Sequence, residues 1–151
     1  MSKSKKTTKI IGRVEQVSFP EWDLIDLDAK IDTGAYTSSL HCHHIEKTGE
    51  DRIRFNLLDP SHDTYNEKLF ELPIHREKTV RSSNGITEQR FVVKTKIELM
   101  NEIYDIELSL TDRSEMNYPV LLGRKLLKRG FLVDVSRKYL SNKNLKEENR
   151  D

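Results

Sequence analysis

The sequence predicts a mainly β protein on three observations. Apolar residues recur at every second position over most of the chain, a polar Asn101-Glu102 pair reads as the tip of a tight reversal between two such runs, and one short stretch alone has helical spacing. In chain order, "IIGRVEQV" at 10–17 is a first strand, and Pro20 with Glu21 marks a break. Within 25–31, Ile25, Leu27, Ala29 and Ile31 share one face while Asp26, Asp28 and Lys30 take the other. That strand turns its apolar side inward and delivers Asp32 at its end. Further strands are expected at 39–46, 51–58, 67–74, 88–100 and 103–111. Phe91, Val93, Thr95, Ile97 and Leu99 alternate in the fourth of these, and Ile106, Leu108 and Leu110 in the fifth. "GRKLLKRG" at 123–130 reads as a helix of about two turns that places Leu126 and Leu127 on the core, with Gly130 as a left-handed terminator. It separates "YPVLLG" from "FLVDVS", each a strand, and the polar residues from 137 onward are expected to fray or form a marginal helix.

A chain of 151 residues suits one domain, and 35% hydrophobic against 34% charged residues leaves enough apolar material for a core under a highly charged surface. Twenty-six Lys and Arg nearly balance 25 Asp and Glu, so no global field recruits nucleic acid or an anionic membrane. The start "MSKSKKTTK" lacks the apolar segment of a signal peptide, and no stretch approaches a spanning helix. The expected organisation is a flexible basic tail over 1–9, one β domain over 10–140 and a polar tail over 141–151, in the cytoplasm. The single cysteine, Cys42, forms no internal disulfide, which fits a reducing compartment.

Chemistry concentrates where the strand ends in "IDTGAYTSSL". Gly34 permits a tight turn and close backbone approach, and the Thr33 hydroxyl can bond across to a neighbouring loop, a setting that holds a carboxylate rigidly. The three-residue string alone equally suits an Asx-turn or a strand-end hydrogen bond. Peptide hydrolysis by carboxylates needs two acids sharing one proton, because groups about 3 Å apart do not readily both ionise. Asp32 alone does not meet that requirement. Asn84-Gly85 is separately the strongest hairpin-turn signal in the chain.

The ordered blocks "IDTGAYTSSLH", "SSNGITEQRFVV", "LTDRSEMNYPVLLGRKLL" and "FLVDVS" resemble the bacterial retropepsin-like aspartic peptidases, a group formerly labelled ATP-dependent zinc proteases, over roughly residues 10 to 140. The resemblance implies a closed or partly open acid-protease-type β-barrel with one short helix. It implies an endopeptidase in which Asp32 activates water, Thr33 braces paired loops, and the Gly34 and Ala35 backbones line the cleft. Ser83, Asn84 and Gly85, with Ser82, would form a flap over the substrate. Leu122 and Gly123 would pack behind the loop while Arg124 anchors the helix. Viral retropepsins usually place an aspartate two residues after the loop glycine to pair with that arginine. Tyr36 stands there in this chain, which leaves Asp134, Asp112 or a main-chain carbonyl as partners for Arg124. No second Asp-Thr/Ser-Gly occurs, so a two-fold homodimer supplying a second Asp32 is the simplest route to a dyad, with Asp112 as an internal alternative. The group often sits beside ATP-grasp glutamate ligases, which implies a functional link and a glutamate-rich substrate. No cofactor is implied.

Four other readings are weighed against this one. A non-catalytic barrel that binds peptides or a ligase would keep the cleft without a dyad. A zinc protease would need "HCHH" at 41–44 to converge with His62 or His75, yet alternation on a strand sends His41 and His43 one way and Cys42 and His44 the other, and no HExxH occurs. Cysteine-protease chemistry at Cys42 lacks a nucleophile elbow, and nucleotide hydrolysis lacks a GxxxxGK[ST] loop. Arg76, Lys78, Arg81, Arg90, Lys94 and Lys96 are either a solvated sheet face or a basic wall that favours an acidic peptide.

Overall fold

The computed structural model describes residues 8–57, 68–81, 84–112 and 117–141. The strands among these residues are β1 (Lys9–Gly12), β2 (Val14–Phe19), β3 (Leu24–Ile31), β4 (Ser38–Lys47), β5 (Arg52–Leu57), β6 (Leu69–Pro73), β7 (Arg76–Arg81), β8 (Thr87–Leu99), β9 (Glu102–Thr111), β10 (Val120–Leu122) and β11 (Phe131–Asp134). One helix, α1 (Arg124–Leu127), follows β10. Hydrogen bonding runs β10-β3-β2-β8-β9-β4, and β10 also pairs with β4, so six strands close into a barrel. Closure rests on three residues. Val120, Leu121 and Leu122 lie parallel to Ala29, Lys30 and Ile31 on one side, while Val120 and Leu121 lie antiparallel to Leu40 and Ser39 on the other. A strand bonded on both sides leaves no open edge at this seam.

Inward-facing Leu27, Ala29, Leu40, Val93, Ile97, Leu108, Val120 and Leu122 fill the barrel, as alternation demands. The β5–β6 pair hangs from the far half of β4 and covers an aromatic group in which Trp22 lies 5.2 Å from Phe19 and 5.7 Å from Phe70 between ring centres. The hairpin of β7 and β8 extends from the barrel with Arg81 opposite Thr87 at its end.

Local backbone events alter several expected elements. Asp26 has φ +59° and donates its N–H to Ser18 Oγ, which breaks the alternation and leaves Ile25 71% exposed instead of facing the core. The run at 10–17 divides at Arg13. β1 leaves the barrel to pair in parallel with β11, whereas β2 stays within it. Met100 and Asn101, at φ +55° and +67°, form the reversal between β8 and β9, so Glu102 belongs to the strand and faces Leu99. β7 was not among the expected strands; its charged side chains hide the period. The helix is one turn instead of two, because the chain tightens at Arg129, whose N–H bonds the Leu126 carbonyl, and reaches φ +123° at Gly130.

Both terminal boundaries also shift. Lys9, assigned to the basic tail, belongs to β1 and pairs with Glu102 at 2.7 Å. Residues 137–141 are docked rather than frayed. Arg13 N–H bonds the Arg137 carbonyl, Tyr139 N–H bonds that of Val14, and the Tyr139 hydroxyl reaches Asp28 at 2.9 Å. Beneath them lies Glu15, fully buried. Its carboxylate accepts from Gly12 N at 2.7 Å, Leu140 N and Ser141 N at 3.0 Å, and Ser141 Oγ at 2.8 Å. Replacing Glu15 with Leu strands these donors in an apolar setting, and chemical denaturation is expected to show a loss of about 3 kcal/mol, with a smaller loss for Glu15→Gln, whose one carbonyl oxygen still accepts two of the bonds. An unchanged midpoint for Glu15→Leu would remove this clamp from the stabilising contacts.

Candidate functional site

The loop after β3 is fixed by its own main chain and by β10. Asp32 N–H donates to the Leu122 carbonyl at 2.9 Å, and Ala35 N–H donates to the Asp32 carbonyl at 3.2 Å. The Asp32 side chain is half-buried, and its Oδ1 accepts the Gly34 N–H at 3.0 Å. No described residue hydrogen-bonds the other carboxylate oxygen, and no carboxyl side chain among them bonds Asp32. A Cβ at Gly34 would lie 3.3 Å from Asp32 Oδ1, so the carboxylate would have to give by a few tenths of an ångström. The geometry thus presents one carboxylate, oriented by an amide, with an oxygen available for chemistry.

Gly123 joins this loop to α1. A Cβ at Gly123 would stand 2.5 Å from the Thr37 carbonyl oxygen and 2.8 Å from that of Ala35, so only glycine lets the two segments touch. Across the contact, Arg124 N–H bonds the Ala35 carbonyl at 2.8 Å and Lys125 N–H bonds that of Tyr36 at 2.9 Å, while Gly123 N–H donates to buried Ser38 Oγ at 3.0 Å. Of the three partners expected for Arg124, the structure selects the carbonyl. Its Nη1 donates to Thr33 O at 3.0 Å, and its guanidinium lies 5.8 Å from the centre of the Tyr36 ring. Lys128 approaches the same ring at 5.5 Å. Tyr36 therefore takes by cation–π contact the place an aspartate would take by ion pairing. Asp134 is engaged elsewhere, held below the usual carboxylate range by Ser136 and then by the Arg137 charge. Asp112 is exposed at the end of β9, where its charge acts on Cys42.

At the outer end of the β7–β8 hairpin, Gly85 has φ +86° and Asn84 Oδ1 accepts the Ile86 N–H at 3.2 Å, an Asx-type turn. Ser82 and Ser83 lie outside the described residues. The 41–44 stretch departs from strict alternation. His44 has φ +55° where the β4–β5 register shifts, which brings the His43 and His44 rings 3.8 Å apart, while His41 and Cys42 are both fully buried. His44 Nδ1 meets Asn56 Oδ1 at 3.2 Å, and His75 Nε2 meets Glu107 at 3.3 Å. Among the described residues no group of three or more His, Cys, Asp or Glu gathers to hold a metal ion; His62 lies outside them. Burial pushes the Cys42 thiol well above its ordinary value, with the Asp112 charge adding to the rise, so it stays protonated.

The sequence reading missed a cavity of about 340 Å³ beside the loop, walled by Thr37 and Ser38 and rimmed by Arg76, Lys78, Lys94, Lys125, Lys128 and Arg129. Half of that rim comes from the expected basic wall, and half from cations flanking the two helix leucines. Lys96 is turned to Asp105 instead.

Comparison with known proteins bears on the whole assembly. The family model of the RimB-like group, described as retropepsin-like aspartic endopeptidase RimB, matches residues 10–144. A probable alpha-L-glutamate ligase of Desulfotalea psychrophila is 32% identical over 154 residues, covering 94% of this chain and 33% of that protein. One from Parasynechococcus marenigrum is 36% identical over 129 residues, covering 83% and 28%. The chain thus spans about a third of the length of the curated relatives it matches. A crystal structure of a Legionella pneumophila protein of unknown function superposes with a TM-score of 0.70 at 27% identity, covering 89% of this chain and 98% of that one.

Two outcomes follow from this geometry. Gly123→Ala forces the loop off α1 and is expected to cost about 1–3 kcal/mol by denaturation; a neutral effect would show that the seam yields freely. Iodoacetamide is expected to leave Cys42 unmodified in the folded protein and to alkylate it after unfolding, as read by intact mass. Rapid labelling of the native chain would contradict a buried, protonated thiol.

Proposed function

We propose that this chain, which belongs to the RimB-like family of retropepsin-like aspartic endopeptidases, hydrolyses peptide bonds with water activated by Asp32. The observation that carries this reading is the half-buried Asp32 carboxylate, fixed by the Gly34 amide and leaving its second oxygen unbonded by any described residue. One carboxylate is half of the chemistry, and the chain carries a single Asp-Thr-Gly. A second copy related by a two-fold axis would supply the other Asp32. With one of the pair ionised and one protonated, the base takes a proton from water as its oxygen adds to the carbonyl carbon, and the acid protonates the carbonyl oxygen. Collapse of the resulting diol breaks the C–N bond, with the proton returning to the leaving nitrogen. Thr33 and the Gly34 and Ala35 backbones border the reacting carbonyl, and the Asn84-Gly85 turn closes over it and limits water.

The relatives support a substrate class. In proteins named as glutamate ligases, a segment like this chain accounts for about a third of the length. That association supports a functional link to a glutamate ligase and a glutamate-rich peptide as the material cleaved. The working compartment is the cytoplasm, where Cys42 stays reduced. Among the described residues no helix is long and apolar enough to cross a membrane. A second reading, a non-catalytic barrel that binds a peptide or the ligase, is favoured by the lack of a described carboxyl group facing Asp32 within one chain.

Cleavage of a peptide library that includes glutamate-rich members, by wild type and Asp32→Asn over about pH 4–8 and with a chelator present, separates these readings. Wild type is expected to cleave with a bell-shaped pH profile that reports the coupled pair, to be insensitive to chelation, and to lose about 10²–10⁴-fold in rate with Asp32→Asn. Dimers should appear by native mass measurement under the active conditions. Equal activity in the variant would remove Asp32 as catalyst, and inactivity of both proteins with retained peptide binding would establish the binding module.

A further inference from the structure

We propose that Glu107 is a positioning residue whose carboxylate ties the root of the β7–β8 hairpin to α1, fixing the angle between the hairpin and the support of the Asp32 loop. The inference rests on the peptidase reading for its catalytic consequence, while the tether itself stands on geometry. Strand register locates the root. Val92 pairs with Ser109 of β9 on one side and with Arg76 of β7 on the other, and the β8–β9 pairing begins there. Beyond it, the pairs from Glu77 with Phe91 to Arg81 with Thr87 form a ribbon of two strands among the described residues. Such a ribbon bends easily, because no third strand braces it. Its far end stands about 17 Å from Arg76 at about 3.4 Å per residue, so a swing of about 10° at the root moves that end by about 3 Å. Displacements of that size ruin the alignment of reacting groups.

Glu107 sits at this root, on β9 opposite Lys94, with its side chain 22% exposed. Its Oε1 accepts from Arg76 Nη2 at 3.0 Å, while Oε2 meets His75 Nε2 at 3.3 Å and Lys125 Nζ at 3.2 Å. The first two partners stand where β7 begins, and the third belongs to α1. Lys125 is also the residue whose N–H bonds the Tyr36 carbonyl. One residue thus holds the Asp32 loop by its main chain and, through Glu107, the hairpin root by its side chain. Burial pushes the Glu107 carboxyl up, but the Lys125 hydrogen bond and the charges of Lys125, Arg76 and His75 outweigh it and hold the group below its ordinary range. The hub is therefore ionised at neutral pH.

The opposite face of the root offers a weaker hold. Neighbouring residues on a strand point to opposite sides, so Glu77 faces away from the Arg76 contact. It accepts from Lys47 Nζ at 3.1 Å and from Gln89 Nε2 at 2.8 Å, but the Lys47 and Glu77 side chains are 42% and 32% exposed. Water and salt screen an open pair of this kind, and it leads to β4 at a point away from the Asp32 loop. Glu107 is less exposed and gathers three donors from two segments, so it restrains the root where the Glu77 pair does not.

Double electron–electron resonance reads the tether without turnover. Nitroxides at Thr87→Cys and Glu98→Cys, exposed β8 positions on either side of the root, report the hairpin's angle to the barrel on which Leu126 and Leu127 seat α1. Labelled protein is diluted with unlabelled chain so that distances within one chain are measured, and buried Cys42 stays unlabelled. The parent is expected to give one narrow distribution. Glu107→Ala and Arg76→Met should each broaden it about twofold, Lys125→Met to an intermediate width, and Arg76→Lys and Lys47→Gln should leave it narrow. In peptide cleavage, Glu107→Ala should lower kcat about three- to tenfold with KM changed less than about twofold, and Arg76→Lys should recover most of the rate lost in Arg76→Met. Melting curves identify any variant that fails to fold; if Glu107→Ala does, Arg76→Met and Lys125→Met carry the test. An unchanged distribution in Glu107→Ala, or in both Arg76→Met and Lys125→Met, overturns the proposal. Cleavage abolished by Asp32→Asn but untouched by Glu107→Ala also overturns it and keeps the peptidase reading. Broadening in the variants of a chain that cleaves no peptide would keep the tether and remove the catalytic reading.

Discussion

The carboxylate of Asp32 is held in place by main chain, and that main chain is held by the absence of a side chain at Gly123. Leu122 receives the Asp32 amide on one side of the glycine, Arg124 and Lys125 send their amides to Ala35 and Tyr36 on the other, and the Thr37 carbonyl sits where a Cβ would be. Backbone contacts of this kind fix position more tightly than long side chains do, because few rotatable bonds separate the bonded groups from the fold. Arg124 and Tyr36 then fasten the exposed surface of the same loop. The loss of the aspartate found at this position in viral retropepsins is thus compatible with a rigid loop. The arginine spends its charge on a carbonyl and a ring instead of a carboxylate.

This seam depends in turn on barrel closure. β10 is three residues long, yet it lies between β3, which ends at Asp32, and β4, which begins just beyond the loop. A hairpin could hold β3 and β4 together only by placing them side by side. An inserted third strand separates them by two ladder spacings and opens the gap the loop fills. Buried Val120 and Leu122 anchor β10 to the core, so the catalytic candidate stands on firmly packed structure. Glu15 acts at a different place. It uses a buried carboxylate to tie residues 140 and 141 to the β1–β2 junction, and the small β1–β11 sheet is locked beside the barrel as a result.

The strands that bury one face were readable from period two, and so were the Asn84-Gly85 hairpin and the packing of Leu126 and Leu127, because each of these follows from local spacing. What was not readable arose where a single dihedral overrides the period. Asp26, His44 and Met100 adopt positive φ without being glycine, and each moves a face or a turn by one residue. Such positions carry no compositional mark, since their strain is sustained by neighbouring strands rather than by the residue itself. β7 escaped for another reason: it exposes charges on one side and packs little on the other, so hydrophobic alternation never appears. Glu15 reads as a surface acid until the chain 125 residues later folds over it. At the site, Asp32, Gly34 and Gly123 were legible through their spacing and resemblance. The basic cavity was only half legible, because strands and helix contribute to it from distant parts of the sequence.

The one-turn helix gives the two halves of the site a common support. Its first amides seat the Asp32 loop, its apolar pair packs on the barrel, and Lys125, with Lys128 and Arg129 just beyond it, lines the cavity. A longer helix would carry its third and fourth turns away from the loop. The single turn over Arg124–Leu127, followed by a tightened segment to Gly130, keeps these groups close together, and spacing by three and four residues places Lys125, Lys128 and Arg129 on adjoining faces. The near-neutral net charge of the whole chain therefore conceals a sharp local imbalance. Counter-charges are spent on neighbouring pairs such as Lys96 with Asp105 and Arg52 with Glu71, while the cavity gathers six cations around Asp105 and Glu107. On the proposed reading, the first amides of one short element position the reacting acid, and its leucines fasten that support to the barrel.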